Sequence, residues 1–360
     1  MKQEQAMVPE AEFRSYYGQP VIKAPVWHEP HMPVYLYLGG LSGAASVMGA
    51  MAGLTGYDRL ALTARVTAAL GAAAGAGFLV AELGRPERFL NMLRIFKPSS
   101  PMSMGSWTLA AHSTLTAAAA ASALLAPRPG SGKAAYRSSP GKAAYRSGPG
   151  STAAVSFALA AFRAALPPAL ATVLRPAGDA AILVAGLTTG PVMATYTAVL
   201  LADTAVPAWH DAHRELPFVF AGSALASAGA AGMLATPRAQ AGPARAVAAL
   251  GAVAETVAGI VMERRLGLVG EPYRQGRGGR LMRTARALTV SGGLLTTVAG
   301  RSRALTALSG LALTAGSLYL RFGALEAGKA SAADPKYTVV PQRRRLEAAE
   351  PASVPPPSPS

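Results

Sequence analysis

The sequence predicts an all-α integral membrane protein, a bundle of eight transmembrane helices. Of its 360 residues, 51% are hydrophobic and 14% are charged, whereas a soluble domain carries about a quarter charged residues. The apolar residues cluster in Ala/Leu/Val/Gly-rich blocks of about 20 residues, the length of a helix that crosses a hydrocarbon core of roughly 30 Å. The chain begins MKQEQAMVPEAEF, which is too polar for a cleavable signal peptide, so the first apolar block is expected to direct insertion.

The eight predicted spans are apolar blocks separated by polar loops: residues 34–54, 62–83, 105–126, 177–202, 216–235, 244–263, 284–300 and 304–325. The first span is rich in small residues, which let neighbouring helices approach closely. The seventh, ARALTVSGGLLTTVAG, is the weakest and depends on its neighbours. The eighth is clear apart from Arg321 near its end, which either pairs with Glu326 or snorkels toward the interface.

These spans divide the chain into five regions: an N-terminal peripheral segment (1–33), spans one to three (34–126), a loop region (127–176), spans four to eight (177–326) and a tail (327–360) that is disordered at its end. The loop contains a direct nine-residue repeat, GKAAYRSSP followed by GKAAYRSGP, whose composition cannot bury a core and predicts disorder. Residues 153–173 are apolar but contain Arg163 and two prolines, which favours an interfacial helix, with a ninth span as the alternative.

Lysine and arginine are distributed unevenly between the two membrane surfaces. With eight spans, both termini lie on one surface, which we name face A, and the other is face B. Of the 34 basic residues, 19 fall on face A, 11 on face B and four within spans. By the positive-inside rule, face A and both termini are predicted to be cytoplasmic, in the plasma membrane.

Composition also restricts the cofactors and partners. The chain has no cysteine, which excludes disulfides, thiolate metal sites and protein-ligated iron–sulfur clusters. Among five histidines only His112 lies at membrane depth, whereas a bis-histidine haem needs two, so a haem-free chain is expected. The net charge of +16 lies in loops that flank apolar spans, a pattern that predicts no nucleic-acid partner.

Ionisable groups in or beside the spans are candidate functional residues, because placing them in a membrane is costly. Glu82 closes span two at face A, and Arg85 follows it. His112 lies roughly 10 Å inside span three from face A, and Asp203 closes span four on the same face. Glu255, near mid-depth in span six, is the candidate for a proton relay. A purely structural role is the alternative for His112 and Glu255.

Other polar groups have simpler interpretations. Tyr35, Tyr37 and Trp107 are typical of the interfacial aromatic belt. The loop WHDAHREL (209–216) is expected to be solvated. Its two histidines, three residues apart, make no convincing metal site.

Residues 82–107, ELGRPERFLNMLRIFKPSSPMSMGSW, resemble the signature loop of the NrfD/PsrC family, the membrane anchor subunits of polysulfide-reductase-type complexes. Further stretches agree in the same order: YYGQPVIKAPVW, YLYLGGLSG, TYTAVLLADTAVPAWHDAHRELPFVF, MERRLGLVGEPY and ASAADPKYTVVPQRRRL. The resemblance covers nearly all of the chain except the repeat and the Pro-rich end. It is strongest to the actinobacterial branch, found beside formate-dehydrogenase-type enzymes.

The resemblance implies a haem-free eight-helix bundle that binds a quinone, with menaquinone the expected type, near one face. It also implies two partners, a ferredoxin-like iron–sulfur subunit and a molybdopterin oxidoreductase catalytic subunit. Without them the chain would carry no electron-transfer chemistry beyond a quinone-reacting site. By position, the quinone-binding residues implied are Glu82, Arg85, His112, Tyr196 and Asp203. Family members serve partners outside the cytoplasm, whereas the charge count places face A inside.

Two alternative functions stay open. A secondary transporter or proton channel predicts charged groups spaced through the bilayer and an internal repeat, but here the polar groups gather at one face. A structural anchor without quinone remains possible if the polar cluster is only a docking surface.

Overall fold

The structure, a computed structural model, describes residues 21–83, 87, 91–126 and 167–349, and every regular element in this part of the chain is helical. The helices are α1 (His31–Leu54), α2 (Asp58–Glu82), α3 (Pro101–Leu125), α4 (Pro168–Val184), α5 (Gly190–Ala202), α6 (Pro207–His210), α7 (Leu216–Ala235), α8 (Gly242–Leu266), α9 (Glu271–Arg274), α10 (Gly276–Ala299), α11 (Arg303–Ala333) and α12 (Lys336–Ala349). A π-helical turn (Ala185–Thr189) joins α4 to α5.

Seven helical segments in the described part of the chain are long and apolar enough to cross a membrane: His31–Leu54, Asp58–Glu82, Pro101–Leu125, Ala169–Ala202, Leu216–Ala235, Gly242–Arg274 and Arg303–Ala333. These confirm the predicted all-α membrane class. Helix α10 takes the place of the predicted seventh span and packs against α8 and α11. It has 24 residues, but four arginines in its first half, at positions 277, 280, 283 and 286, lower its apolar character.

Span four is longer than the sequence predicts. Helical structure is continuous from Pro168 to Ala202, so residues 168–176 extend this span and are not part of a separate interfacial helix. Pro168 occupies the first helical position, where its missing N–H removes no intrahelical hydrogen bond. The rest of the predicted interfacial segment, and the nine-residue repeat, lie outside the described residues.

Helix α1 lies at the centre of the bundle and contacts α2, α4, α5, α7 and α11. Its small residues allow these close contacts. A Cβ added at Gly43 would lie 2.5 Å from the carbonyl oxygen of Gly190, which is too close for a side chain. The helix pair α7 and α8 approaches in the same way, with a Cβ at Gly251 placed 2.7 Å from the carbonyl oxygen of Gly222. Close backbone approach of this kind is how helices associate in lipid, where burial of apolar surface drives little packing.

The described part of the tail is mostly helical. Helix α11 continues to Ala333, and α12 follows along face A. The Lys336 ammonium lies 3.1 Å from Glu271 Oε2, and the Tyr337 hydroxyl donates to the same oxygen at 3.2 Å. The hydrogen bond with Glu271 raises the pKa of Lys336 above its ordinary value. Residues 350–360, with the Pro-rich end, lie outside the described part.

Candidate functional site

Glu82, at the end of α2, is held by the segment that leads into α1. Its carboxyl oxygen Oε1 accepts from the backbone N–H of His28 at 2.8 Å and lies 3.3 Å from His28 Nδ1. The other oxygen, Oε2, lies 3.7 Å from His31 Nδ1, beyond hydrogen-bond distance. The Glu82 side chain is only 10% exposed, and Oε2 is buried without a hydrogen-bond partner. Glu82 therefore keeps one acceptor available beside two imidazoles.

One stripe of α1 meets three of the predicted quinone-binding residues. His31, Tyr35 and Ser42 are spaced by four and seven residues, which places them on one helix face. His31 lies beside Glu82 of α2. Tyr35 lies near Tyr196 of α5. Ser42 bonds His112 of α3.

The stripe therefore forms a polar column that descends from face A. Eleven residues separate His31 from Ser42, which corresponds to roughly 16 Å along the axis of α1. Glu82 lies at the outer end of the column, Tyr196 between the ends and His112 at the inner end. Glu82 and His112 thus occupy different depths and do not form one pocket.

His112 is completely buried, with 0% exposure, and bonds two side chains. Its Nε2 lies 2.9 Å from Ser42 Oγ and its Nδ1 lies 2.8 Å from Thr189 Oγ1. The Ser42 hydroxyl donates to the carbonyl oxygen of Ala68 at 2.6 Å, so Ser42 Oγ accepts from Nε2–H. Nδ1 then accepts from the Thr189 hydroxyl. The neutral ring links α1, α3 and the π-helical turn, a type of irregularity that is frequent at functional sites.

Tyr196 is buried between α5 and α3. Its ring lies directly against Gly105, where an added Cβ would overlap the phenol. The glycine in the MSMGSW stretch is thus needed to admit this tyrosine. Trp107, two residues further on, is 40% exposed and meets the Phe96 ring edge-on at 6.1 Å between ring centroids. This position agrees with its interpretation as an interfacial aromatic residue.

The two remaining predicted quinone ligands lie elsewhere. Arg85 falls outside the described residues. Asp203 is exposed and lines a groove of about 540 Å³ between the 203–211 loop and α12, together with His210, Tyr337 and Arg345. Glu82 is not among the residues that line this groove. The structure therefore separates Asp203 from the polar column.

The loop 203–215 is built into face A and is more ordered than a solvated loop. Trp209 is fully buried, stacks on Trp27 with ring centroids 5.2 Å apart, and donates from Nε1 to the carbonyl oxygen of Ala324 at 2.7 Å. The Glu215 carboxylate accepts two hydrogen bonds from the Arg265 guanidinium, from Nε at 2.5 Å and from Nη2 at 2.6 Å. Three of the stretches that carry the family resemblance thus meet at this loop, through Trp27, Trp209 with Glu215, and Arg265.

Glu255 belongs to a second buried cluster, away from the column. It is 5% exposed, and its Oε1 accepts from the Thr289 hydroxyl at 2.8 Å, while Oε2 has no hydrogen-bond partner. Arg321 interacts electrostatically with Glu255. The Arg321 guanidinium, 1% exposed, lies 3.7 Å from the Phe220 ring centroid and donates to the Phe220 carbonyl oxygen at 3.1 Å.

Glu326, the predicted partner of Arg321, pairs with other cations. Glu326 lies 3.4 Å from Arg277 and 3.9 Å from Lys329. Arg321 keeps two nitrogens, Nε and Nη1, without hydrogen-bond partners. Arg321 is therefore neither paired with Glu326 nor extended to the interface, because its guanidinium is enclosed by α1, α7 and α8.

Sequence reasoning missed His28 and His31, which it considered only as haem ligands. Their position in the sequence could have indicated the contact, since both residues precede span one on face A, where span two also ends. It also missed the burial of Trp209 and Arg321. No local pattern marks those residues, since each is buried by helices distant in sequence: Trp209 by α11, 115 residues along the chain, and Arg321 by α1, α7 and α8.

A family model described as polysulphide reductase, NrfD, matches residues 19–269. The match takes in α1 to α8 and the polar column. No curated protein matches the sequence significantly.

Proposed function

Because this chain belongs to the polysulphide reductase NrfD family, we propose that it is the quinone-reacting membrane anchor of a multi-subunit oxidoreductase. Members of the family are membrane anchors of oxidoreductase complexes and interact with quinone. The chain is a multi-pass membrane protein. The finer proposal is that it exchanges electrons between an iron–sulfur partner and a menaquinone pool in the plasma membrane.

The observation that carries the proposal is the unpartnered Oε2 of Glu82. A buried carboxylate oxygen without a donor is costly, so such an oxygen calls for a donor from a ligand. The hydroxyl of a reduced quinone head group is such a donor. His28 and His31 lie beside the same carboxylate, and an imidazole can hold or release a proton. The carboxylate and the two imidazoles support the proposal of a quinone head group at the outer end of the column.

A quinone, when bound, supplies two-electron chemistry that also takes up two protons. Glu82 holds or accepts a proton at Oε2, and His28 and His31 exchange protons with it. Tyr196 and His112 are proposed to continue the column inward, where Tyr196 closes the space between α3 and α5 and His112 fixes the π-helical turn. Arg85 is proposed to contribute positive charge beside Glu82. Asp203 is proposed to act from the groove at the end of α5.

Electrons must come from another subunit, since the sequence contains no cysteine for a cluster of its own. Family members pair with iron–sulfur and molybdopterin subunits. The proposed docking surface for a ferredoxin-like iron–sulfur subunit is face A, including the groove beside Asp203 and the cationic α12. The iron–sulfur subunit is in turn proposed to bind the molybdopterin catalytic subunit. This surface lies at the same face as Glu82, which keeps the electron path short.

Glu255 is proposed as a proton relay. Its free Oε2 and the unpartnered nitrogens of Arg321 are buried polar groups of the kind that ordered waters satisfy. If protons move with turnover, Glu255→Gln should lower proton translocation in proteoliposomes. The matched control is Glu263→Gln, two turns along α8, where the carboxylate pairs with Arg286. Unchanged translocation in Glu255→Gln would remove the relay.

The central test is Glu82→Gln, assayed as quinone reduction in membranes and normalised to assembled complex. A positioned acid or base contributes about 10²–10⁴-fold to rate, so a fall of at least about tenfold is expected. Assembly with the iron–sulfur partner should persist, because the substitution keeps the side-chain volume. The control is Glu263→Gln, since that carboxylate pairs with Arg286 and lies outside both the polar column and the groove beside Asp203. Normal turnover per complex in Glu82→Gln would refute the assignment of this carboxylate.

A further inference from the structure

A cavity opens at face B, at the opposite end of the bundle from the polar column. It lies between the start of α2, the end of α3 and α4, and has a volume of about 70 Å³. A single water needs roughly 10–15 Å³, so the cavity has room for a group the size of a phosphate. Its polar lining residues are Asp58, Arg59, Arg65, Ser122, Arg175 and Asp179. We name it the arginine cavity.

Arg65 is the innermost cation of the arginine cavity. Its side chain is 7% exposed, and Nη2 lies 2.6 Å from Asp179 Oδ1, which ties α2 to α4. The Nε of the same guanidinium is buried and has no hydrogen-bond partner. The ion pair with Asp179 therefore leaves donor capacity of this buried guanidinium unused.

Arg175 is fixed at the opposite wall. Its Nε donates to the carbonyl oxygen of Ala126, at the end of α3, at 3.1 Å. This bond orients the guanidinium beside the cavity that it lines. Among the described residues that line the cavity, three arginines and two ionised aspartates carry a net charge of +1. Guanidinium groups bind phosphate through paired N–H donors and do so better than lysine.

The depth of the cavity matches the headgroup layer of a bilayer. Helix α2 has 25 residues, a length of about 38 Å, against a hydrocarbon core of roughly 30 Å and about 40–45 Å with headgroups. The first residues of α2, Asp58 and Arg59, thus lie at headgroup level. Arg65 lies about 10 Å further along the helix, and long arginine side chains extend toward the interface. Leu62 and Ala123 supply an apolar wall along which an acyl chain can lie.

We propose that the arginine cavity binds the phosphate of an anionic phospholipid and thereby fixes α2, α3 and α4 together at face B. The recognised chemistry is a phosphate anion, which a lipid headgroup or free phosphate could supply. The depth of the site and its apolar wall assign it to the lipid.

The test uses the purified chain in its complex, delipidated and then mixed with vesicles of phosphatidylglycerol or phosphatidylcholine. Retained lipid is counted by native mass spectrometry for the wild type, Arg175→Gln and the control Arg238→Gln. Arg238 also lies at face B and donates to the carbonyl oxygen of Arg301 at 3.2 Å, outside the arginine cavity. Loss of charge-assisted hydrogen bonds should weaken phosphatidylglycerol retention by at least about tenfold in Arg175→Gln. The control should retain it as the wild type does.

Each other result would overturn the proposal. Equal retention by Arg175→Gln and the wild type would show that the cavity does not hold the lipid. Equal retention of phosphatidylcholine would show that no anionic lipid is selected. Displacement of the lipid by millimolar inorganic phosphate would assign the site to the free ion. Should Arg175→Gln fail to fold, Arg59→Gln at the rim of the cavity provides the same comparison.

Discussion

The substitution His112→Ala tests whether the inner end of the polar column holds the bundle together. It removes two contacts between helices, Nε2 to Ser42 Oγ at 2.9 Å and Nδ1 to Thr189 Oγ1 at 2.8 Å. Such bonds contribute about 0.6–1.7 kcal/mol each inside a membrane. The empty volume left by a fully buried ring adds to this, as in other large-to-small core substitutions. The expected loss of unfolding free energy is therefore roughly 2–5 kcal/mol.

The assay is thermal or denaturant unfolding in one detergent, with Thr114→Ala as the matched control. Thr114 lies on the same helix but is exposed, and its hydroxyl bonds only the Ala110 carbonyl within α3. Ser42→Ala should lose about half of the hydrogen-bond contribution while the ring stays in place. If His112→Ala were as stable as Thr114→Ala, the link from α1 to the π-helical turn would not contribute to stability. The quinone turnover of assembled His112→Ala complex is expected to fall as well, because the variant releases the π-helical turn from α3.

Three further predictions concern topology, redox content and the tail. Reporter fusions after Tyr57 and after Arg283 should report opposite sides, with Arg283 cytoplasmic; an extracytoplasmic signal there would invert the predicted orientation. The purified chain without partners should show no haem or cluster absorbance, and a stoichiometric Soret band would contradict this. Lys336→Gln should release α12 from Glu271 and increase its cleavage by trypsin, with membrane insertion unchanged. Equal cleavage rates in the variant and the wild type would show that this ion pair does not hold the helix.

The sequence predicts the membrane class and most helix positions because apolar length alone determines whether a helix can span a bilayer. It predicts α12 poorly, since that helix depends on a contact between Lys336 and Glu271, 65 residues apart. The start of span four was also missed, because the consecutive prolines at positions 167 and 168 are compatible with either the end or the start of a helix.

The candidate site was predicted in part. The alternation of spans across the membrane places Glu82 at face A. The structure adds His28 and His31 beside the Glu82 carboxylate. The order of the spans determines the depth of a residue in the membrane but not its position around the bundle. For this reason the sequence predicts Asp203 beside Glu82, whereas Asp203 lies in the groove at α12. The partners of His112 could not be predicted either. Ser42 on α1 and Thr189 in the π-helical turn are 70 and 77 residues from His112 along the chain, so only the packing of the bundle brings them together.

The most direct measurement compares quinone reduction by the complete oxidoreductase complex with and without this chain. Electrons from the substrate are offered to a soluble dye and, separately, to a menaquinone analogue. We expect the complex that lacks the chain to reduce the dye normally and to lose reduction of the quinone, with recovery when the chain is added back. Undiminished quinone reduction without the chain would contradict its assignment as the quinone-reacting subunit.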